Sequence, residues 1–293
     1  AGGLGLAVVG WLVSGRGGAL LAIACAKMVL DRFSGAALSP ALGLMLVAWP
    51  CGIGLALVAL PLLGSDWRAG LWWSAAVCAA SFVPLWFALP KGEGAGAAPP
   101  RRGGLLRSEW GPLLSAGAIW GFYNAAFVVA VGFTPALLVS RGWTSEAAGG
   151  VTALISFGIL PLLPMGGALA ERMGRPMLVT AGCILAMAIC LAAVVAGLAP
   201  WPWLLAFGML AAPPASLVMA MVGRALSAPS RAFGMGVHYT LFYGSLAGLP
   251  PLAGLARDVT GAAAAPLLAG VVFLAIALAA VPVYLMLASR KHA

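Results

Sequence analysis

The chain has 293 residues, 63% of them apolar and only 8% charged, with a formal net charge of +9. Soluble domains carry about 25% charged residues, so this balance excludes an ordinary water-soluble fold. The basic residues are scattered among loops, which argues against a nucleic-acid surface and for orientation in a membrane.

Apolar stretches of about 20 residues, the length that crosses a bilayer, recur along the chain. They are continuous rather than alternating, and backbone groups in lipid must pair within the segment. The reading is therefore an all-α, polytopic helical membrane protein. In chain order the predicted segments are 1–13, 17–31, 38–63, 67–89, 111–139, 147–169, 177–199, 201–223, 232–256 and 264–288. The first is only about 20 Å long at 1.5 Å per residue. Ser14-Gly15-Arg16-Gly17-Gly18 reads as a break between it and the second; a single helix over 6–30 with Arg16 buried in it is the other option. The chain opens Ala-Gly-Gly-Leu with neither an initiator Met nor a signal peptide, which reads as a fragment beginning inside a helix. All five cysteines (Cys25, Cys51, Cys78, Cys183 and Cys190) lie in apolar spans without C-x-x-C spacing. They read as small buried residues, and no metal or cofactor is expected.

The stretch 91–109, rich in Gly, Pro and Ala, is the one linker. It divides the chain into a partial amino-terminal helix bundle over 1–90 and a carboxyl-terminal six-helix bundle over 110–293. With the linker placed inside, Lys27, Arg32, Lys91, Arg101, Arg102, Arg107, Arg172, Arg175, Arg224, Arg231, Arg290 and Lys291 fall inside. Arg16, Arg68, Arg141 and Arg257 fall outside. Twelve against four obeys the positive-inside rule and puts the carboxyl terminus in the cytoplasm. Trp67, Trp72, Trp73, Trp143, Trp201 and Trp203 then gather at the outer boundary, as interface anchors do.

A short charged turn, Gly167-Ala-Leu-Ala-Glu-Arg-Met-Gly-Arg175, separates two long apolar stretches. It resembles the signature loop of the major facilitator superfamily, G-x-L-x-[DE]-R-x-G-R, with Gly167, Leu169, Glu171, Arg172, Gly174 and Arg175 on the pattern. Pro176 stands where that family often has Arg or Lys. A weak internal repeat fits two six-helix halves: Arg32 and Arg224 are 192 positions apart, as are Asp66 and Asp258. This register makes the front spans helices four to six and the rear spans seven to twelve. The resemblance thus implies a major facilitator fold lacking its first two to three helices. Ala26–Phe33, Ala48–Gly54 and Arg231–Gly236 with Tyr239 and Tyr243 look like the cyanate-permease type. The Gly-Pro pair of the drug–proton antiporter motif is absent from the fifth helix.

The resemblance implies a secondary active transporter of a small solute, working by alternating access of two bundles. It would sit as a monomer in the lipid bilayer of a bacterial inner membrane, with proton coupling left open and no nucleic-acid partner. A polytopic enzyme is the second reading, but no H-E-x-x-H, G-x-S-x-G or paired mid-span acids occur. A non-transporting sensor or scaffold derived from a transporter is the third.

Polar groups inside spans are costly and usually face a cavity. Trp120, Tyr123, Asn124 and Phe127 share one helix face at i, i+3, i+4 and i+7. They read as a substrate wall, with an amide that both donates and accepts; an interhelical hydrogen bond with aromatic packing explains the same pattern. Tyr239 and Tyr243, one turn apart, read as a cavity rim. His238, the one histidine inside a span, is a coupling candidate because imidazole titrates near neutrality. Lys27 is a second candidate, as an anion-attracting charge at the cavity mouth or as an i,i+4 partner of Asp31. In the signature loop, Glu171 is expected to pair with Arg224 as a cytoplasmic latch, with Arg172 and Arg175 reaching carbonyls or lipid headgroups. Pro213-Pro214 and Pro250-Pro251 mark bending points or static kinks.

Overall fold

A computed structural model describes residues 2–32, 38–64, 67–88, 104–163, 165, 174–227 and 229–289. Among these the chain is helical throughout, with no strand. The helices are α1 (Gly2–Arg32), α2 (Leu38–Leu62), α3 (Trp67–Ala88), α4 (Arg107–Ser140), α5 (Ser145–Ile159), α6 (Pro176–Val195), α7 (Pro200–Ala225), α8 (Arg231–Thr260) and α9 (Ala265–Ser289). Five stretches within these helices are long and apolar enough to cross a membrane: Leu44–Leu62, Arg68–Phe87, Arg107–Ser140, Pro176–Val195 and Ala265–Ser289.

Two sequence expectations fail. The break at Ser14–Gly18 is absent, and α1 runs unbroken for 31 residues through Arg16. Each glycine there costs roughly 1 kcal/mol against Ala, but unpaired backbone groups in hydrocarbon cost several kcal/mol apiece, so the helix continues. The span expected over 147–169 instead ends as a helix at Ile159. Pro161 has no N–H to give the carbonyl of Phe157, and the Leu160 N–H donates to that carbonyl at 3.3 Å, closing the last turn tightly. Elsewhere the prolines are absorbed. α7 passes through Pro213-Pro214 and α8 through Pro250-Pro251.

α4 is the axis of the rear bundle and packs against α5, α7, α8 and α9; α6 closes the outside against α7 and α9. The buried core consists mainly of Leu, Ile, Val, Ala and Phe from these helices, with Phe127 and Phe207 the largest fully enclosed rings. The outer surface carries Leu, Val, Trp and Phe, as lipid requires: Trp72, Phe87 and Val259 are each at least 77% exposed. α3 is exposed along most of its described length, with Ala69, Gly70 and Leu85 partly covered.

Helix backbones approach at glycine. A Cβ on Gly208 of α7 would run into the Ile155 carbonyl of α5. One on Gly158 of α5 would sit 2.8 Å from the Leu205 carbonyl of α7. On another side of α5, a Cβ on Gly149 would lie 2.5 Å from the Leu57 carbonyl of α2, and Gly54 of α2 meets Phe157 and Ser156. Gly117 and Gly121 of α4 likewise admit Leu241 and Ser245 of α8. α5 is therefore held between α2 and α7 by close approach at glycine, carbonyl to glycine at Gly149, Gly158 and Gly208 and side chain to glycine at Gly54.

Each end of α4 is fastened by a charged group bound to backbone. At the amino end Glu109, fully buried, is the N3 residue. Its carboxylate accepts the Leu106 N–H at 2.9 Å, as in the reaching-back half of a capping box, and the Ser227 N–H at 2.7 Å from beyond α7. Ser230 extends the junction, donating to the Gly104 carbonyl at 3.1 Å. Negative charge also suits a helix amino terminus. At the other end Arg141 donates from Nη1 and Nη2 to the Val194 and Val195 carbonyls at 2.7 and 2.6 Å. It thus caps the carboxyl end of α6, where a cation is favoured.

Two substitutions follow from these contacts. Gly208→Ala should destabilise by about 1–3 kcal/mol through overpacking. Gly182→Ala in α6, with nothing within 4 Å, should be neutral or stabilise by about 0.5–1 kcal/mol. Thermal unfolding in detergent reads both, and equal shifts would remove the close crossing as a determinant. Glu109→Ala strips the acceptor from two backbone donors and should cost about 1–3 kcal/mol, with Glu109→Gln falling between it and the parent in the same measurement.

Candidate functional site

The aromatic face of α4 lies at the centre of the rear bundle and fans out to three helices. Trp120 turns to α8, with ring centroids 6.3 Å from His238 and 5.9 Å from Phe242. Tyr123 is buried, and its hydroxyl donates to the Ala211 carbonyl of α7, in the turn just before Pro213-Pro214. Phe127 stacks on Phe207 of α7 at 6.2 Å and meets Trp49 of α2 at 5.8 Å. Trp49–Phe127 is thus a ring contact between the front helices and the rear bundle.

Asn124 lies about 40° around α4 from Trp120, on the α8-facing side with Gly117 and away from Tyr123 and Phe127. It is 8% exposed. Its Nδ2 donates to the Trp120 carbonyl one turn back at 2.8 Å, which uses one amide donor. Its Oδ1 makes no hydrogen bond among the described residues.

The α8 residues divide by face. His238 is fully buried, and neither ring nitrogen has a hydrogen-bond partner among the described residues. Leaving such groups unpaired costs about 1–3 kcal/mol each. Tyr239 and Tyr243 are 41% and 48% exposed and stack on one another at 6.3 Å with planes 26° apart. Tyr239 also meets the His238 ring edge-on at 5.9 Å. The structure brings Trp120, His238, Tyr239 and Tyr243 into one aromatic chain across α4 and α8, while Tyr123 belongs to the α7 side. Two further buried hydroxyls lack partners among the described residues, those of Thr134 and Ser156. Ser156 lies at the α2–α5 crossing, against Gly54.

Of the signature loop, Gly167, Glu171 and Arg172 lie outside the described residues, as do the side chains of Arg224 and Lys27. The expected Glu171–Arg224 latch therefore falls there too. Gly174 has φ +67°, a left-handed conformation that disfavours residues with a Cβ. Arg175 is exposed and stands at the N-cap of α6, with Pro176 in the first turn. The motif's last Gly and the following Pro thus have a local reason: they turn the chain and start a helix.

Sequence reasoning missed Glu109, Arg141 and Ser156. Glu109 carried one signal, an acid three residues after the start of a helix. Its partner Ser227 is 118 residues away, and no local pattern points to it. Among the described residues no group of three His, Cys, Asp or Glu side chains is arranged to hold a metal ion.

Comparison with known proteins fits this arrangement. The profile of the Major Facilitator Superfamily matches residues 1–212, a stretch that takes in α1 to α6 and the first half of α7. No curated protein matches the chain. With a family match over more than half of its length, on an all-helical framework of membrane-length apolar helices, the chain belongs to the Major Facilitator Superfamily of multi-pass membrane transporters.

Proposed function

We propose that the protein is a secondary active transporter that moves a small solute by alternating access of two helix bundles. The observation that carries this is the junction of α2 with α5. Glycine lines both sides of it: Gly149 of α5 lies against the Leu57 carbonyl of α2, and Gly54 of α2 receives the Phe157 ring and the Ser156 Cβ of α5, so few bulky side chains separate the front helices from the rear bundle. A crossing built this way can rock with few side chains to unlock. Behind it stands the α4 face, with Trp49 on Phe127 and then Asn124 and Trp120.

In this reading Trp120, Tyr123 and Asn124 form one wall of the solute path, and Tyr239 and Tyr243 form its rim. Aromatic faces supply packing area and the Asn124 oxygen supplies an acceptor. His238, buried behind the tyrosines, is the coupling candidate. Its two nitrogens would gain partners in a conformation that shifts α8 against α4. Glu171 and Arg224 remain the proposed latch of the cytoplasmic face. The protein is placed in the bacterial inner membrane as a monomer, with its carboxyl terminus in the cytoplasm. The continuous α1 moves Arg16 out of the outer loops, leaving Arg68, Arg141 and Arg257 outside against the same twelve basic residues inside.

Cysteines introduced at Gly104 and Gly64 should react from opposite sides of the membrane, Gly104 from the cytoplasm and Gly64 from outside. Reaction of both from one side would overturn the orientation. The transport reading is tested by screening solutes for uptake into vesicles, with and without a proton gradient. For any solute taken up, Asn124→Ala should lower uptake about tenfold or more, the loss expected when a buried polar contact to a solute goes unmade, at unchanged expression. Unaltered kinetics would assign Asn124 to its bond with the Trp120 carbonyl alone.

A further inference from the structure

The junction at the amino end of α4 reaches farther than the helix it caps. Ser230 stands at the N-cap of α8, where a serine hydroxyl ordinarily accepts an N–H from the first turn. Here it makes no such bond. It donates instead to the Gly104 carbonyl at 3.1 Å, and the Ser227 hydroxyl lies 3.0 Å from it. The Ser227 N–H is held by the Glu109 carboxylate, which also holds the Leu106 N–H. α8 therefore starts from contacts made by α4 and the segment before it, not from a side-chain cap of its own. Glu109 and Ser230 are both buried, at 0% and 2% exposure. The turn between α7 and α8 and the first turn of α8 are packed into one piece: Leu226 fills the space that a Cβ on Gly234 would need.

From that junction α4 and α8 run side by side in the same direction. Gly117 faces Leu241 and, one turn on, Gly121 faces Ser245, so the two helices advance in step. Both crossings are closed, since a Cβ on either glycine would strike the α8 side chain. Trp120 lies eleven residues beyond Glu109, and His238 eight beyond Ser230, about 16 Å and 12 Å along their axes. Their rings meet with centroids 6.3 Å apart, and His238 continues to Tyr239, which stacks on Tyr243. Helices are stiff along their length, so a change in the height or angle of α8 at the junction carries to the level of His238. Nothing polar among the described residues holds the imidazole there, for both its nitrogens lack partners. Its position is set by packing, and the packing by where α8 begins.

We propose that Glu109 is a positioning residue for the aromatic site: its carboxylate fixes the start of α8 against α4 and thereby assembles Trp120, His238, Tyr239 and Tyr243 into one chain. The segment read as the linker between the bundles ends in the same junction, at Gly104 and Leu106, so Glu109 couples the linker to the site. The coupling is one of helix position and needs no solute.

Burial of His238 is the readout. The full chain in detergent is treated with diethyl pyrocarbonate, which acylates accessible imidazole, and the peptide carrying His238 is followed by mass spectrometry. In the parent His238 should react at least about tenfold more slowly than in the chain unfolded by dodecyl sulfate, because reaction waits on local opening. Glu109→Ala should raise the His238 rate about tenfold, the shift in an opening equilibrium expected for loss of one hydrogen bond to a charged group. Glu109→Gln, which keeps one acceptor oxygen, should fall between parent and Glu109→Ala. Ser230→Ala should raise the rate by a smaller factor, about threefold. Gly208→Ala, at the α5–α7 crossing, lowers stability without touching the junction and should leave the rate at the parent value. An unchanged His238 rate in Glu109→Ala and Glu109→Gln alike would overturn the proposal and reduce Glu109 to a local cap. So would a rise in Gly208→Ala that matches theirs at equal loss of melting temperature, because burial would then follow overall stability. So would a His238 that reacts in the parent as fast as in the unfolded chain. Should Glu109→Ala fail to accumulate, Glu109→Gln and Ser230→Ala carry the same comparison. Solute uptake enters none of these outcomes, so failure of the transporter reading leaves them unaltered.

Discussion

In hydrocarbon, apolar side chains gain little by leaving lipid for one another, so helices associate through close packing and backbone approach. That constraint governs this bundle. Gly208 and Gly158 let α5 and α7 touch carbonyl to glycine, as Gly149 does for α5 and α2, while Gly117 and Gly121 admit the Leu241 and Ser245 side chains of α8 and Gly54 admits those of Phe157 and Ser156. A glycine costs helix propensity wherever it is placed. At these sites the loss is offset by dispersion contacts along whole helix turns and by the absence of any alternative solvent for the backbone.

α4 is fixed more firmly than its neighbours because its two ends are tied through charge. Glu109 holds the Ser227 N–H and Arg141 holds the Val194 and Val195 carbonyls. Both contacts pair a charged side chain with backbone groups that a helix end or loop would otherwise leave unpaired. Both lie at the bundle's ends, where loops could otherwise move freely. The consequence is a rigid rear wall. Tyr123 and Tyr284 strengthen it by donating to carbonyls of α7, those of Ala211 and Met221. At the α2–α5 crossing, where the front helices meet this wall, no such charged tie occurs among the described residues.

The helices were legible in the sequence because apolar length alone identifies a span in lipid. α2, α3, α6 and α9 lie close to their expected limits. The two departures lie at glycine and at proline. Ser14–Gly18 was read as a breaker, yet lipid leaves a glycine-rich segment no better option than helix. Pro161 falls inside the expected span 147–169, as Pro213, Pro214, Pro250 and Pro251 fall inside theirs, yet the helix ends at Ile159. Periodicity found the α4 face, and the structure places Trp120, Tyr123, Asn124 and Phe127 in the bundle interior. It could not tell that Tyr123 serves α7 and Trp120 serves α8, since that division depends on where neighbouring helices sit. Glu109 and Ser227 were invisible as a pair for the same reason.

The polar groups inside this chain fall into two kinds, and the distinction orders the functional argument. Tyr123, Thr152, Thr180 and Ser245 each donate to a carbonyl, their own helix's or a neighbour's. They are accounted for by structure and need no ligand. His238 and the hydroxyls of Ser156 and Thr134 are buried without a hydrogen-bond partner among the described residues. Each bears the penalty of an unpaired buried polar group: His238 between α4 and α8, Ser156 at the α2–α5 crossing and Thr134 within α4. A fold that needed only to stay folded would have replaced them with apolar residues of like size at little cost. Their placement is what separates the parts of this chain that hold the bundle from the parts that would handle a solute.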